Sequence, residues 1–230
     1  MSLTVQNMID QTREIMDAVG SGEWSDTTLT TWLGAAHWQL YANLLNANRY
    51  YQMQQVTVTE DSNGMFNLTD LSTGTTDTKK YFYRILTVSQ QGTPAGVSQM
   101  YYRKVEFEQF PNPQPNTSLP YVYMQYGQKI AVLPVQSGTQ LQVTVNYRPP
   151  NPAQLSGTSV TVDFPEGYEL MVPWRAAQLG LLKGGNETQA AYDIKSKADD
   201  MEHQFLQDLG RVSKWPIFAS ATDDPSMWAG

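Results

Sequence analysis

The sequence predicts an α+β protein, in which a helical bundle built from both chain ends carries an inserted antiparallel β-sandwich or barrel-like domain and an extended C-terminal tail. Three observations lead there. Apolar residues recur at helical spacing before residue 50 and again between 164 and 212. Between 51 and 163 they alternate with polar residues among turn-forming Gly, Asn, Asp and Pro. Beyond Ser213 neither period continues, and prolines stand beside isolated large side chains. The expected divisions are therefore 1–50 with 164–212 for the bundle, 51–163 for the β domain and 213–230 for the tail. The order helix-helix, strands, helix-helix makes the strands an insertion between two halves of one helical layer.

Each element has its own signal. Val5, Met8, Ile9, Thr12, Met16 and Val19 give a first helix over 4–19, stopped by Gly20. Ser25 or Asp26 caps a second, whose stripe is Leu29, Trp32, Leu33, Ala36, Leu40 and Leu44. Trp38 and Tyr41 lie off that stripe and read as surface for a neighbouring subunit. Val56 and Val58 alternate, Asp61-Ser-Asn-Gly64 reads as a hairpin turn, and 65–68 returns. Residues 71–78 read as a loop. Tyr81–Val88 is rich in aromatic and β-branched residues and reads as a strand. The run 98–110 is compatible with helix or strand, and Pro111-Asn-Pro-Gln-Pro115 is a stiff connector.

A second hairpin follows, with 121–125 and 129–133 around Tyr126-Gly127. Leu141–Tyr147 alternates cleanly, and 160–162 reads as a last short edge. Pro165-Glu166 opens the third helix, with Tyr168, Met171, Val172, Arg175, Leu179 and Leu182 as its face and Pro173 as a possible kink. The segment 180–185 reads as its stop. Asn186 with Gln189 forms a capping box for the fourth helix, where Ala191, Ile194, Ala198, Met201, Phe205 and Leu209 make a near-heptad stripe.

Composition narrows the function. Cysteine is absent, which removes disulfides, thiolate metal sites and cysteine nucleophiles together. The formal charge of −7 disfavours tight binding to phosphates, which relies on Lys and Arg. The densest basic group is only Lys79-Lys80 with Arg84. DNA that slides past without sequence-specific binding suits such an acidic surface. Charged residues make up 16% of the chain, against about 25% in typical globular proteins, so its polar surface suits a protein covered by other proteins. No stretch is apolar and long enough to span a membrane. Asp10 falls where a signal peptide would need its apolar run, so the chain is expected to stay in the cytoplasm that made it or to enter a particle assembled there.

No catalytic, cofactor or metal site is expected. His37 and His203 are the two histidines, and neither has a second one turn away, so the His-Glu-x-x-His zinc spacing is missing. His37 reads as a packed or interface histidine. Asp199, Asp200, Glu202 and His203 read as a solvated acidic helix face. No Gly-x-Ser-x-Gly elbow occurs, and Gly180–Gly185 fails the phosphate-loop pattern. Carboxylate pairs for glycoside cleavage need no sequence proximity, and Glu106 with Glu108 reads as two surface glutamates. Tyr101-Tyr102-Arg103-Lys104 is one aromatic-basic cluster in an acidic chain, and a sandwich face or a subunit contact is its expected place. In the tail, Trp215, Pro216, Ile217, Phe218 and Trp228 form anchors on a strap that suits docking onto a partner protein.

Several segments together resemble the head-to-tail connector, or adaptor, proteins of podovirus-like tailed bacteriophages. They are the Trp32–Tyr41 helix running into 44–51, Tyr126-Gly-Gln-Lys-Ile-Ala-Val-Leu-Pro134, Leu141–Pro149, and Phe164-Pro-Glu-Gly-Tyr168 before the closing helices. The order of these segments over residues 3–212 carries the resemblance. It implies a homo-oligomeric twelve-fold ring beneath a portal protein, in the neck of the virion. The bundle and tail would engage the portal through Trp215, Pro216, Ile217, Phe218 and Trp228. The β domain would meet the next tail or nozzle protein, and DNA would pass through the channel. Trp38, Tyr41, Tyr168 and Phe205 are the expected subunit interface. A second reading of the aromatic content is a carbohydrate- or receptor-binding β module of a tail or surface protein.

Overall fold

A computed structural model describes residues 3–17, 24–48, 51–90, 100–106, 108, 121–135, 138–183 and 189–212. It is α+β, with helices α1 (Val5–Asp17), α2 (Asp26–Ala47), α3 (Met171–Lys183) and α4 (Gln189–Val212). Its strands are β1 (Met53–Thr59), β2 (Met65–Asn67), β3 (Tyr81–Gln90), β4 (Tyr101–Lys104), β5 (Val122–Tyr126), β6 (Lys129–Leu133) and β7 (Gln140–Arg148). Two compact units result: Asn7–Asn48 with the chain from Phe164 on, and Ser2–Gln6 with Arg49–Asp163.

In the helical unit α2 packs against α3 and α4, and α3 against α4. Ser25 caps α2, its side chain accepting from the Thr28 N–H and so satisfying an end donor that the helix itself cannot. The expected stripe of α2 is buried, but burial extends past it to Gly34, His37, Tyr41 and Leu45. A helix apolar on so much of its circumference is enclosed by its neighbours rather than laid on a surface. Arg13 of α1 donates to the Trp24 carbonyl and pairs with Asp26, tying α1 to the start of α2. The third helix begins at Met171, not at Pro165-Glu166. Before it the chain turns, with Tyr168 N–H donating to the Pro165 carbonyl. Pro173 thus sits in the first helical turn, where a missing N–H costs no intrahelical bond.

Gly180 lies within α3 and is not its stop. A Cβ there would sit 2.4 Å from Cζ3 and 2.6 Å from Cε3 of Trp32. The indole occupies the space a side chain would need, and this brings α2 and α3 close. The expected stops at Gly20 and Gly184-Gly185, and the Asn186 capping box, lie outside the described residues.

The β unit holds one seven-stranded sheet in the order β1-β7-β3-β4-β5-β6-β2. It is a single sheet rather than a sandwich. It is also not wholly antiparallel, because β4 and β5 run parallel, with Arg103 opposite Val122. The intervening chain 105–121 is long enough for the crossover such a pair requires. The two edge strands are consecutive in sequence. Asp61 N–H donates to the Met65 carbonyl and Gly64 N–H to the Asp61 carbonyl, closing a tight turn between them. Gly64 takes φ +68°, which favours glycine. The turn is as expected, but the hairpin is not: β1 pairs with β7 and β2 with β6. A sheet whose edges are joined by so short a turn must curl on itself, and it is nearly closed, like a barrel. Register shifts in β3 at Phe82/Arg84 and Ile85/Thr87 supply bends for that curl.

Val58, Phe66, Val88, Tyr123, Ile130, Val132, Leu141, Val143, Val145 and Tyr147 fill the β core. Among them the buried Asn146 is satisfied, accepting from Arg84 Nε at 2.7 Å and donating to the Tyr51 carbonyl at 2.9 Å. The predicted hairpin of β5 and β6 is present, with Tyr126 opposite Lys129 and Gly127 at φ +58°. The ambiguous run 98–110 contributes β4. The expected edge at 160–162 is instead a single bridge, Thr161 to Thr4.

The loop 71–78 follows one short 3-10 turn (Leu68–Leu71), contains another (Thr76–Thr78) and is fastened to the segment after β7. Asp77 accepts from the Ser156 N–H at 2.7 Å and from the Ser156 hydroxyl. These hydrogen bonds, the hydroxyl's first, hold its carboxyl below the ordinary value, against a smaller opposing effect of burial. A carboxylate depressed in the folded state contributes stability above the unfolded range of about 4 and loses it as pH falls through the folded value. Thermal melts of the parent and Asp77→Asn should therefore differ at neutral pH, the parent melting higher. The gap should close in acid below that range, and a gap independent of pH would contradict the assignment.

Candidate assembly surfaces

In the helical unit, three of the four residues expected at a subunit interface belong to one aromatic cluster, joined through Phe164. The Tyr168 and Phe205 rings lie 4.6 Å apart, Phe205 and Phe164 6.0 Å, and Phe164 and Tyr41 5.8 Å. His37 completes the cluster, 5.1 Å from Tyr41, and is a packed histidine. Tyr41 is 0% and Phe205 1% exposed. Both side chains are covered within the subunit, Tyr41 because α2 is buried beyond its stripe. Trp38 and Tyr168 are half-buried and keep surface for a neighbour. Tyr168 donates to Asp208 at 2.6 Å, and that bond, followed by burial and the carboxylate charge, pushes its phenol upward.

A polar network unites α2, α3 and α4. Arg175, whose side chain is 9% exposed, pairs with Asp199 at 2.8 Å and with Glu202. It also donates to Gln178, while Asn43 of α2 donates to the other Glu202 oxygen at 2.5 Å. Two of the acids expected to face solvent are thus counter-ions to a buried guanidinium. Such a network fixes helix register through the fork geometry of Arg. The other two members of that run, Asp200 and His203, are exposed, and His203 bonds Gln207 through Nε2. Among the described residues no three His, Asp or Glu side chains are grouped so as to hold a metal ion.

Gln11, Glu14 and Ile15 of α1, with Leu170 and Trp174 at the start of α3, line an open groove of ≈ 340 Å³. Lys197 stands 4.1 Å from the Trp174 ring centre, a cation–π contact within α3 and α4.

In the β unit the basic group is dispersed among partners. Lys80 donates to Gln54, Lys79 lies over Tyr81, and Arg84 donates to Asn146. In Tyr101-Tyr102-Arg103-Lys104 only Tyr102 is buried. Tyr101 is 55% exposed, whereas Tyr102 is buried edge-on against Tyr121. Burial first, then the Glu60 charge, raises the Tyr102 phenol. Exposed Tyr126 and Met53 add apolar surface at the β5–β6 turn and on edge strand β1. The tail anchors Trp215, Pro216, Ile217, Phe218 and Trp228 lie outside the described residues. No helix of the described residues is long and apolar enough to cross a membrane.

The network around Arg175 and the α1–α3 groove escaped the sequence reading. Arg175 stood on an expected apolar face, and a charge there demands counter-charge. A search of curated proteins finds no significant match. A protein-family model, the SU10 adaptor protein, matches residues 3–224 and takes in both units. A match over nearly the whole chain agrees with the resemblance carried by 126–134, 141–149 and 164–168, and the chain belongs to the SU10 adaptor protein family, a family of phage structural adaptors.

Proposed function

We propose that the chain forms a ring that joins the portal to the tail and extends the DNA channel. The observation that carries this is the family match over residues 3–224. In this reading the helices of both chain ends form one bundle (1–50 and 164–212), which faces the portal. The inserted domain 51–163 meets the next tail or nozzle protein. Twelve copies close the ring, and its work is assembly, without catalysis, cofactor or metal. Trp38 and Tyr168 supply subunit contact, while the tail 213–230 straps onto the portal through Trp215, Pro216, Ile217, Phe218 and Trp228. The ring sits in the virion neck after assembly in the host cytoplasm. Small contacts repeated around a ring accumulate into stable attachment even where one is weak. The net charge of −7 supports passage of DNA without adhesion.

Deletion of residues 214–230 tests the strap. Portal binding by the shortened chain should fall sharply while its circular dichroism is unchanged. Binding at the parental level would remove the tail from this account.

A further inference from the structure

Two complementary surfaces stand on different flanks of the α3–α4 pair. The first is the α1–α3 groove, whose apolar walls Ile15, Leu170 and Trp174 all keep exposed surface. Gln11 also lines it, and its buried Oε1 has no hydrogen-bond partner among the described residues. A buried acceptor left without a donor is costly, so a donor brought by an occupant would be favourable. Glu14 stands exposed in the same lining and adds a negative charge.

The second surface follows from helix geometry. Arg175 pairs with Asp199 and Tyr168 with Asp208, so α3 and α4 run antiparallel. Leu182 comes seven residues after Arg175, and Tyr192 seven before Asp199. Both are thus two turns from one contact, in the same direction, and they stand side by side. They are 64% and 55% exposed, an apolar patch that carries one phenol O–H. Lys195, three residues from Tyr192 and also exposed, sets a cation beside it. Lys197, over the Trp174 ring, and Asp199 point about 200° apart around α4, which separates the groove's flank from the patch's.

A phenol beside a leucine and a lysine suits an apolar groove that holds an unpaired acceptor and a carboxylate. A subunit cannot fill its own groove this way, because the patch lies about 12 Å beyond Trp174 along α3 and on another flank. We propose that the Leu182–Tyr192 patch of one copy enters the α1–α3 groove of the next. The Tyr192 ring lies against Ile15, Leu170 and Trp174, its O–H is given to Gln11 Oε1, and Lys195 pairs with Glu14. Half-buried Tyr168, two residues before Leu170, borders the same contact. A contact between two different surfaces is heterologous, the kind from which rings of more than two copies are built. The inference rests on the ring reading and supplies its subunit contact.

Particles carrying the full chain with Glu14→Cys and Lys195→Cys together test the contact, treated with a short bismaleimide while their necks are imaged in parallel. The parent chain has no cysteine, so it reacts only at the new thiols. Both positions are exposed, and the circular dichroism of the purified variants should match the parent's. The expected product is a ladder of this chain, dimer, trimer and higher, that neither single-cysteine variant gives. Glu14→Lys and Lys195→Glu should each lower the yield of ring-bearing particles about tenfold, since like charges then meet at every repeat. The two charge changes combined should restore it. A neck ring whose double-cysteine variant gives no ladder overturns the contact and leaves the ring reading standing. So does a product that stops at the dimer, which would be an isologous pair, or one that joins either cysteine to another neck protein. Charge variants without effect, or a combination that fails to restore the yield, overturn it as well. Necks without a ring of this chain overturn both the contact and the ring reading.

Discussion

Glu202→Ala should lower the free energy of unfolding by about 3–5 kcal/mol, the usual cost of removing one partner from a buried ion pair. The Arg175 guanidinium, 9% exposed, would keep only Asp199, itself 49% exposed, and Gln178. Asn43 of α2 would lose its acceptor at the same time. The paired substitution Arg175→Met with Glu202→Leu should restore much of the loss, because apolar groups of similar volume leave no charge to compensate. Urea denaturation of the parent, the single variant and the double variant measures this directly. A double variant as unstable as Glu202→Ala would mean that the charges contribute more than their desolvation costs.

Gly180→Val should cost about 1–3 kcal/mol, the range for forcing extra atoms into a packed site. Even its Cβ would lie 2.4 Å from the Trp32 ring. The ring cannot retreat freely, since Trp24 packs against it with ring centres 4.9 Å apart. Gly180→Ala should go the same way by less, although alanine is the better helix former by about 1 kcal/mol. A melting temperature raised by Gly180→Ala would show that propensity prevails over the clash, and that the two helices can part to admit a methyl group.

These two sites mark where sequence reasoning stopped. The stripe of α2 and the Ser25 cap were readable because helical period and end chemistry are local. The β5–β6 hairpin was readable for the same reason, a two-residue turn around Gly127. Asp61–Gly64 shows the limit of that logic. Turn residues specify that the chain reverses, but not which strands then pair, and here β1 and β2 close opposite edges of one curled sheet. The parallel β4–β5 pair was hidden because alternation carries no direction. Tyr41 lies off the stripe and so reads as surface, yet α2 is enclosed more widely than a stripe implies. Phe205, on the α4 stripe, joins the same aromatic cluster.

In the sequence Arg175 is a charge on an apolar face. Asp199 and Glu202, three residues apart on α4, belong to an acidic run. Nothing local links residues so far apart, but a buried cation requires an anion, and the i, i+3 pair was the nearest one able to reach from a single helix face. Gly180 carried a comparable signal, since a lone glycine inside a helical pattern usually has a packing reason.

The central claim is that the chain is a ring component between portal and tail, and electron microscopy of the native particle tests it most directly. The account predicts a twelve-fold ring of this chain in the neck, with its helical unit toward the portal and its β unit toward the tail. Finished particles whose neck lacks the chain, or hold it only as single copies elsewhere, would contradict it.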